Sequence, residues 1–142
     1  MEGTSQIKID YNKLLFEARK AASAAYCPYS NFAVGAAVFC ENGQIILGCN
    51  VENTSYGLTI CAERNALAAS VVQGCSRPLA IAVYSLKQNP CYPCGACLQV
   101  MVELNRHLEV VLENNGSPLV LSLEQLLPFP FNKDGRIGGD QN

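Results

Sequence analysis

The sequence predicts an α/β chain built on one mixed sheet of about five strands with helices on both faces, and three observations carry that prediction. Helix-like and strand-like stretches follow one another in the order α-β-β-α-β-α-β-β-α. Leu79 to Leu86 is an apolar run suited to a strand buried on both faces. Glu41-Asn42-Gly43 carries the Asn-Gly signal of a two-residue hairpin, so the strands flanking it pair antiparallel. The 142 residues suit a single domain over 1–142, long enough to bury a core.

Asp10 is a natural N-cap for a helix from Tyr11 to about Tyr26, whose apolar face is Leu14, Leu15, Ala18, Ala21, Ala22 and Ala25. Cys27-Pro28 ends it, and Pro28 to Asn31 is a loop. Phe32 to Cys40 and Gln44 to Val51 are the hairpin strands. After a loop over Asn53 to Thr59, a helix opens at Cys61 and runs to Val72, where Gly74 and Arg77-Pro78 close it. Lys87 to Pro93 leads from the buried strand into a second helix, Cys94 to Asn105. Glu109 to Glu113 and Leu119 to Leu121 are strands around the turn Asn114-Asn115-Gly116-Ser117. Ser122-x-x-Gln125 has the spacing of a capping box for a short last helix before Pro128. From Asn132 the polar, Gly-rich end reads as a mobile tail over 132–142.

Hydrophobic residues make up 49% of the chain and charged residues 15%, an apolar balance that predicts surface buried between subunits. The net charge is −2, and no cluster of Lys or Arg forms a basic face, which points away from a nucleic acid polymer and toward a small neutral substrate. Met1 to Asp10 is polar and lacks the apolar core of a signal peptide. No apolar stretch is long enough to span a membrane. The expected location is therefore cytoplasmic and reducing. There, the eight cysteines point to metal or redox chemistry rather than a disulfide scaffold. Cys27, Cys40, Cys49 and Cys75 are expected to be small buried packing residues.

The chemistry lies in two fragments, Cys61-Ala62-Glu63-Arg64 and Tyr92-Pro93-Cys94-Gly95-Ala96-Cys97. Cys-x-x-Cys at a helix start sets two thiols one turn apart on one face. The unpaired N–H groups of a helix start favour thiolate, the form that binds metal. Two such starts brought together let Cys61, Cys94 and Cys97 hold three corners of a tetrahedron, with the fourth open for water as in a catalytic zinc site. Glu63 follows a ligand by two residues and is placed to handle that water's protons. Read without such a ligand, it is an ordinary first-turn glutamate favoured by the helix dipole.

Cys61-Ala62-Glu63 followed by Pro93-Cys94-x-x-Cys97 resembles the zinc nucleoside and base deaminase pattern. Pro28-Tyr29-Ser30-x-Phe32-x-Val34-Gly35-Ala36-Ala37 and Asn50-Val51-Glu52-Asn53-x-x-Tyr56 narrow the resemblance to the small, homotetrameric cytidine deaminases, over about Tyr11 to Phe131. The resemblance implies a three-layer α-β-α sandwich and one Zn²⁺ per chain. It implies deamination of free cytidine and deoxycytidine in pyrimidine salvage, and a homotetramer with shared active sites. Water must be delivered to C4 of the cytosine ring and ammonia expelled, and zinc makes that water acidic enough to react near neutrality. Glu63 is then the general acid/base, and Arg64, one turn from Cys61, offsets the excess negative charge of three thiolates.

The resemblance also assigns Asn50 and Glu52 to the ribose hydroxyls, Phe32 to the pyrimidine face, and backbone groups of Ala62 and Cys94 to the base edge. It further implies that Tyr56 and Phe131 are lent by a neighbouring subunit. By residue type alone, Asn50 and Glu52 are a solvated strand edge, Phe32 is a core phenylalanine, Tyr56 and Phe131 are core or interface packing, and Arg64 is a surface arginine. His107, the sole histidine, is expected at a surface or helix end rather than on the metal. One departure stands out: the family commonly has Arg-Gln after the last cysteine ligand, and this chain has Leu98-Gln99.

Other readings compete. Cys91-Tyr92-Pro93-Cys94 between a strand and a helix is where thioredoxin-like proteins carry a redox pair, although that leaves Cys61, Glu63 and Cys97 unused. Cys91 could also close a purely structural four-cysteine zinc site. Among deaminases the runner-up is a blasticidin-type antibiotic deaminase, against which the Phe32 and Asn50-to-Asn53 motifs weigh.

Overall fold

The structure is a computed structural model, and it describes residues 7–132. The expected tail lies outside these residues except for Asn132. Helix α1 (Tyr11–Ala22) is followed by strands β1 (Val34–Cys40) and β2 (Ile45–Cys49), helix α2 (Ala62–Val72) and strand β3 (Pro78–Ser85). Helix α3 (Gly95–Leu104), strands β4 (Glu109–Asn114) and β5 (Ser117–Ser122), and helix α4 (Leu123–Leu126) complete the order. The strands form one sheet, β2-β1-β3-β4-β5, in which β3 and β4 run parallel and every other pair is antiparallel. The α/β class, the five strands and the helices on both faces are as expected.

Alternation along the central strands explains the layers. Ala37, Ala80, Ala82 and Val111 face one side and pack against Leu14, Leu15 and Ala18 of α1. Ala36, Val38, Ile81, Val83 and Val110 face the other side and pack against Ala66 and Leu67 of α2 and Met101 and Val102 of α3. Two glycines let the helices sit close. A Cβ at Gly35 would collide with the Ala18 carbonyl and the Ala22 backbone of α1. At Gly48 it would collide with the backbone of Ala62 and Ala66 of α2. The first turn of α2, which carries the motif, is thus seated directly on β2. No helix among the described residues is long and apolar enough to cross a membrane.

Several boundaries moved. Helix α1 stops at Ala22 rather than near Tyr26, although Ala24 and Ala25 are good helix formers. The Tyr26 backbone is instead drawn into bridge pairing with the segment after β2, its N–H donating to Asn50 O at 3.0 Å and its carbonyl accepting from Glu52 N at 2.8 Å. The first hairpin is wider than the two-residue form. Gly43 has φ 91° while Asn42 is not left-handed, and Cys40 N bonds Gln44 O at 2.9 Å, the pattern of a type I turn closed by a glycine bulge. The true paired left-handed turn is Asn115 (φ 51°) and Gly116 (φ 82°), between β4 and β5. Strand β5 is longer than expected and tolerates Pro118 because it lies at the sheet edge. The capping box at Ser122 and Gln125 forms as predicted.

One expectation is overturned. Cys40 and Cys75, read as packing thiols, form a disulfide. Cys40 ends β1, and Cys75 follows Gly74, whose φ of 83° turns the chain at the end of α2. Their Cα atoms come to 5.6 Å, a bridging distance that no spacing rule reveals for residues 35 apart. Cys27 and Cys49 are free and half-buried.

Candidate active site

Cys61 and Cys94 are the N-cap residues of α2 and α3. Their carbonyls accept the first helical bonds, from Asn65 N at 3.1 Å and Leu98 N at 3.0 Å. Neither thiol caps its helix, unlike the usual Ser or Asp, so both are free to point elsewhere. They converge with Cys97 from the first turn of α3. Sγ of Cys94 lies 4.0 Å from that of Cys61 and 3.6 Å from that of Cys97, and all three fall within 4.8 Å of one another. Sulfurs on a tetrahedral Zn²⁺ with 2.3 Å bonds stand about 3.8 Å apart, so the three thiols fit the ion as placed. Among the described residues this is the group of Cys, His, Asp or Glu side chains arranged to hold a metal, and Cys91 is outside it.

The electrostatics suit that donor set. The Cys61 thiol is brought down to about 5, chiefly by a hydrogen bond from Cys97 and then by Arg64. Cys97, as the donor in that pair, is held up as a thiol. Arg64 Nη2 donates to Cys61 Sγ at 3.6 Å, and its Nε is buried with no hydrogen-bond partner among the described residues. Glu63 is 5% exposed, and burial pushes its carboxyl up to about 7. The negative charge of Cys61 adds to that rise, while the Cys97 thiol opposes it. Cys91 is pushed up to about 11 by burial and by the charges of Glu63 and Cys61, so it faces the same centre as a neutral thiol.

A second group of the predicted residues gathers along the strip that follows β2. Val51 exchanges two backbone hydrogen bonds with Ile60, each 3.0 Å, one residue before Cys61. Asn65 Nδ2 bonds the Cys49 carbonyl at 2.8 Å, which also ties α2 to this strip. Asn50 is buried, and its amide clamps the entry to β1, accepting from Val34 N and donating to Phe32 O, both at 2.9 Å. Phe32 is half-buried beside it, and Ala62 is fully buried at the start of α2.

Glu52 accepts from the Ser30 hydroxyl and from the N–H groups of Tyr29 at 2.9 Å and Ser30 at 3.1 Å. The Ser30 hydroxyl holds its carboxyl below the usual carboxylate range. Tyr29, Ser30, Glu52, Tyr56 and Thr59 line one cavity of about 360 Å³, with the Tyr29 and Tyr56 rings meeting edge to face at 5.8 Å. The anchoring of Glu52 by Tyr29 and Ser30 was not foreseen, although both belong to the Pro28-Tyr29-Ser30 motif.

Phe131 lies in neither group. Its backbone is held by Gln99 of α3, and the residue is 78% exposed. Tyr56 is 74% exposed. His107 is exposed and accepts a bond from Arg106 Nε, consistent with a surface position. Leu98, which departs from the family's usual arginine, is 7% exposed and packs in the core with Met101 and Val102.

Three converging thiols at two helix starts, with a buried carboxylic acid beside them on a mixed α/β sheet, define a zinc-dependent hydrolytic centre. Residues 8–113 match the family model of the cytidine and deoxycytidylate deaminase zinc-binding region, and the chain belongs to that family. The cytidine deaminase of Sporosarcina psychrophila is 43% identical over 128 residues, covering 89% of this chain and 94% of that protein. The crystal structure of cytidine deaminase from Burkholderia pseudomallei superposes with a TM-score of 0.81 at 47% identity, over 87% of this chain and all of the other. That of cytidine deaminase from Mycobacterium tuberculosis superposes with a TM-score of 0.80 at 41% identity, over 89% and 100%.

Proposed function

We propose that this protein is a cytidine deaminase acting on free cytidine and deoxycytidine in pyrimidine salvage, releasing uridine or deoxyuridine and ammonia. The observation that carries the reading is Glu63, a carboxylic acid 5% exposed and pushed up to about 7 beside three thiols that fit a zinc ion.

When held by Cys61, Cys94 and Cys97, zinc supplies a Lewis acid that makes water a nucleophile near neutral pH. Glu63 takes one proton from that water and delivers it to N3 of the cytosine ring. It takes the second and gives it to the leaving amine, so that cytidine and water yield uridine and ammonia. A carboxyl poised near neutrality suits a group that must both accept and return a proton. Arg64 donates to Cys61 and offsets thiolate charge. Burial of the Glu63 carboxyl also limits access of bulk water to its proton.

Asn50 and Glu52 hold the ribose, with Tyr29 and Ser30 fixing the Glu52 carboxylate in place. Phe32 packs on the pyrimidine, and the Ala62 and Cys94 backbones read the base edge. We place the reaction in the cytoplasm, in a homotetramer whose subunits share active sites. Tyr56 and Phe131, more than two-thirds exposed in the single chain, support that assembly. So does a largely apolar cavity of about 600 Å³ between α2 and α3, lined by Ile60, Leu67, Val71, Val100 and Leu104 among others.

The test is to incubate zinc-loaded protein with cytidine, deoxycytidine and cytosine and to follow ammonia. Both nucleosides should be consumed and the free base left. Ammonia from cytosine alone would overturn the ribose assignment, and none from any substrate would overturn the activity.

A further inference from the structure

Gln99 lies on α3 two residues beyond Cys97 and holds a residue 32 positions away. Its Nε2 donates to the Phe131 carbonyl at 2.9 Å, and its Oε1 accepts from the Phe131 N–H at 3.0 Å. A carboxamide that binds both groups of one residue reproduces a strand pairing and fixes the direction as well as the position of the backbone. Pro128 and Pro130 restrict φ on the approach. Phe131 is nevertheless 78% exposed on this ordered backbone. Ordering a chain segment costs conformational entropy, and a residue so exposed returns little burial in the single chain. The clamp therefore holds the backbone in a fixed place while leaving the ring available to something outside the chain.

The neighbours of Gln99 narrow its role. Leu98 turns into the core and Gln99 turns outward, as adjacent positions on a helix do. Gln99 also borders the apolar cavity between α2 and α3, together with Arg64. The helix that brings Cys97 to the metal centre is thus the same helix that grips the aromatic.

We propose that Gln99 is a positioning residue that sets where Phe131 presents its ring to the substrate pocket of a second copy of this chain. It couples the metal-bearing helix of one subunit to the closing of its neighbour's site. The proposal rests on the reading of Phe131 as a residue lent to a neighbour. Gln99 touches no substrate and acts only through Phe131. Glutamate in its place would keep the acceptor for the N–H but set a carboxylate against the carbonyl.

The experiment compares Gln99→Met, Phe131→Ala and the double variant in zinc-loaded enzyme, measuring kcat and KM for cytidine, zinc content and assembly mass. Gln99→Met removes both bonds at nearly constant volume. It should lower kcat/KM by roughly 5- to 30-fold, mainly through KM, from the loss of two half-exposed hydrogen bonds. Zinc content and mass should not change. In the Phe131→Ala background the same substitution should cost nothing further, a coupling that a merely structural glutamine would not show. An equal loss in both backgrounds overturns the proposal, as does an unimpaired Gln99→Met beside an impaired Phe131→Ala. A Phe131→Ala enzyme with parental kinetics instead removes the shared-site reading on which the proposal stands. Should Gln99→Met lose zinc or fail to fold, Gln99→Glu decides. It should lose activity in the parent background and not in Phe131→Ala, and parental kinetics or an additive loss would overturn the proposal.

Discussion

Replacing Glu63 by glutamine keeps the side chain's shape and removes its proton. Two consequences follow from the site. In the zinc-loaded protein, loss of the general acid/base should lower kcat by roughly 10² to 10⁴ or more, with zinc content unchanged, because Glu63 is outside the three-thiol group. In the metal-free protein the same substitution should alter stability in a defined pH window. The Glu63 carboxyl is carried by burial from 4.5 to about 7. With the folded value above the unfolded one, the protonated acid's contribution is fully present below about pH 4.5 and is lost as pH rises through about 7. At about 1.4 kcal/mol per tenfold change, ionising this buried carboxyl costs the metal-free fold on the order of 3 kcal/mol above that window. The parent should therefore lose stability between pH 4.5 and 7 that Glu63→Gln keeps. Thermal melts of zinc-stripped protein at intervals across this range measure it, beside ammonia release and metal analysis of the zinc-loaded forms. Loss of zinc in the variant, or activity within tenfold of the parent, would refute the proton-carrier role. Parallel stability curves for the two proteins would refute the account of burial.

Cys91→Ser should keep one zinc per chain by metal analysis, whereas Cys94→Ser and Cys97→Ser should not, since Cys91 lies outside the converging group. Metal lost from Cys91→Ser would favour a closed four-cysteine site. Thiol titration of the denatured, oxidised, metal-free protein should find six free cysteines, and reduction should free two more and lower stability by roughly 3–4 kcal/mol or less for this loop length. Finding eight thiols before reduction would show that the Cys40–Cys75 bond does not form. Phe131→Ala, expected to be impaired but measurable, and Glu63→Ala, expected to be nearly inactive, should when co-expressed exceed the sum of their separate activities. Mixed assemblies identified by two affinity tags but active only at that sum would place Phe131 outside the neighbour's site.

What the sequence made legible was set by how local each signal is. The helix starts at Cys61 and Cys94 carry their chemistry within four or six residues, and the structure puts those thiols where the spacing implied. The capping box at Ser122 and the turn at Asn115-Gly116 are local in the same way, and both formed. The end of α1 was not legible because Tyr26 pairs with residues about 25 positions away, and that pairing overrides the helix propensity of Ala24 and Ala25. The Cys40–Cys75 bond and the Gln99 clamp on Phe131 join residues more than 30 apart. Neither pair carries a spacing signature, and only the packed chain places them together. Asn50 and Glu52 were expected to share a strand, but β2 ends at Cys49 and both lie in the strip beyond it. The grip on Glu52 by Tyr29 and Ser30 depends on the loop after α1 folding back onto the strip, which periodicity does not encode.

The departure at Leu98 bears on how this site balances charge. Three thiolates around a divalent cation leave one negative charge in excess, and that excess weakens the cation's pull on a bound water. A guanidinium at position 98 would be a candidate to offset it, but Leu98 is 7% exposed and points into the core beside Met101 and Val102. Arg64 is therefore the guanidinium in hydrogen-bond contact with the thiol cluster among the described residues, and it brings the local sum to neutrality. In the metal-free site burial pushes the Glu63 carboxyl up to about 7, and the charge of Arg64 opposes that rise. The charge on Arg64 and the proton on Glu63 are thus two halves of one balance. Arg64→Gln should tip it by making the thiolate cluster more negative, raising the Glu63 carboxyl further and moving the acid limb of the kcat profile to higher pH. A variant with lower activity but an unmoved acid limb would mean that Arg64 holds the helix starts in place without governing the proton.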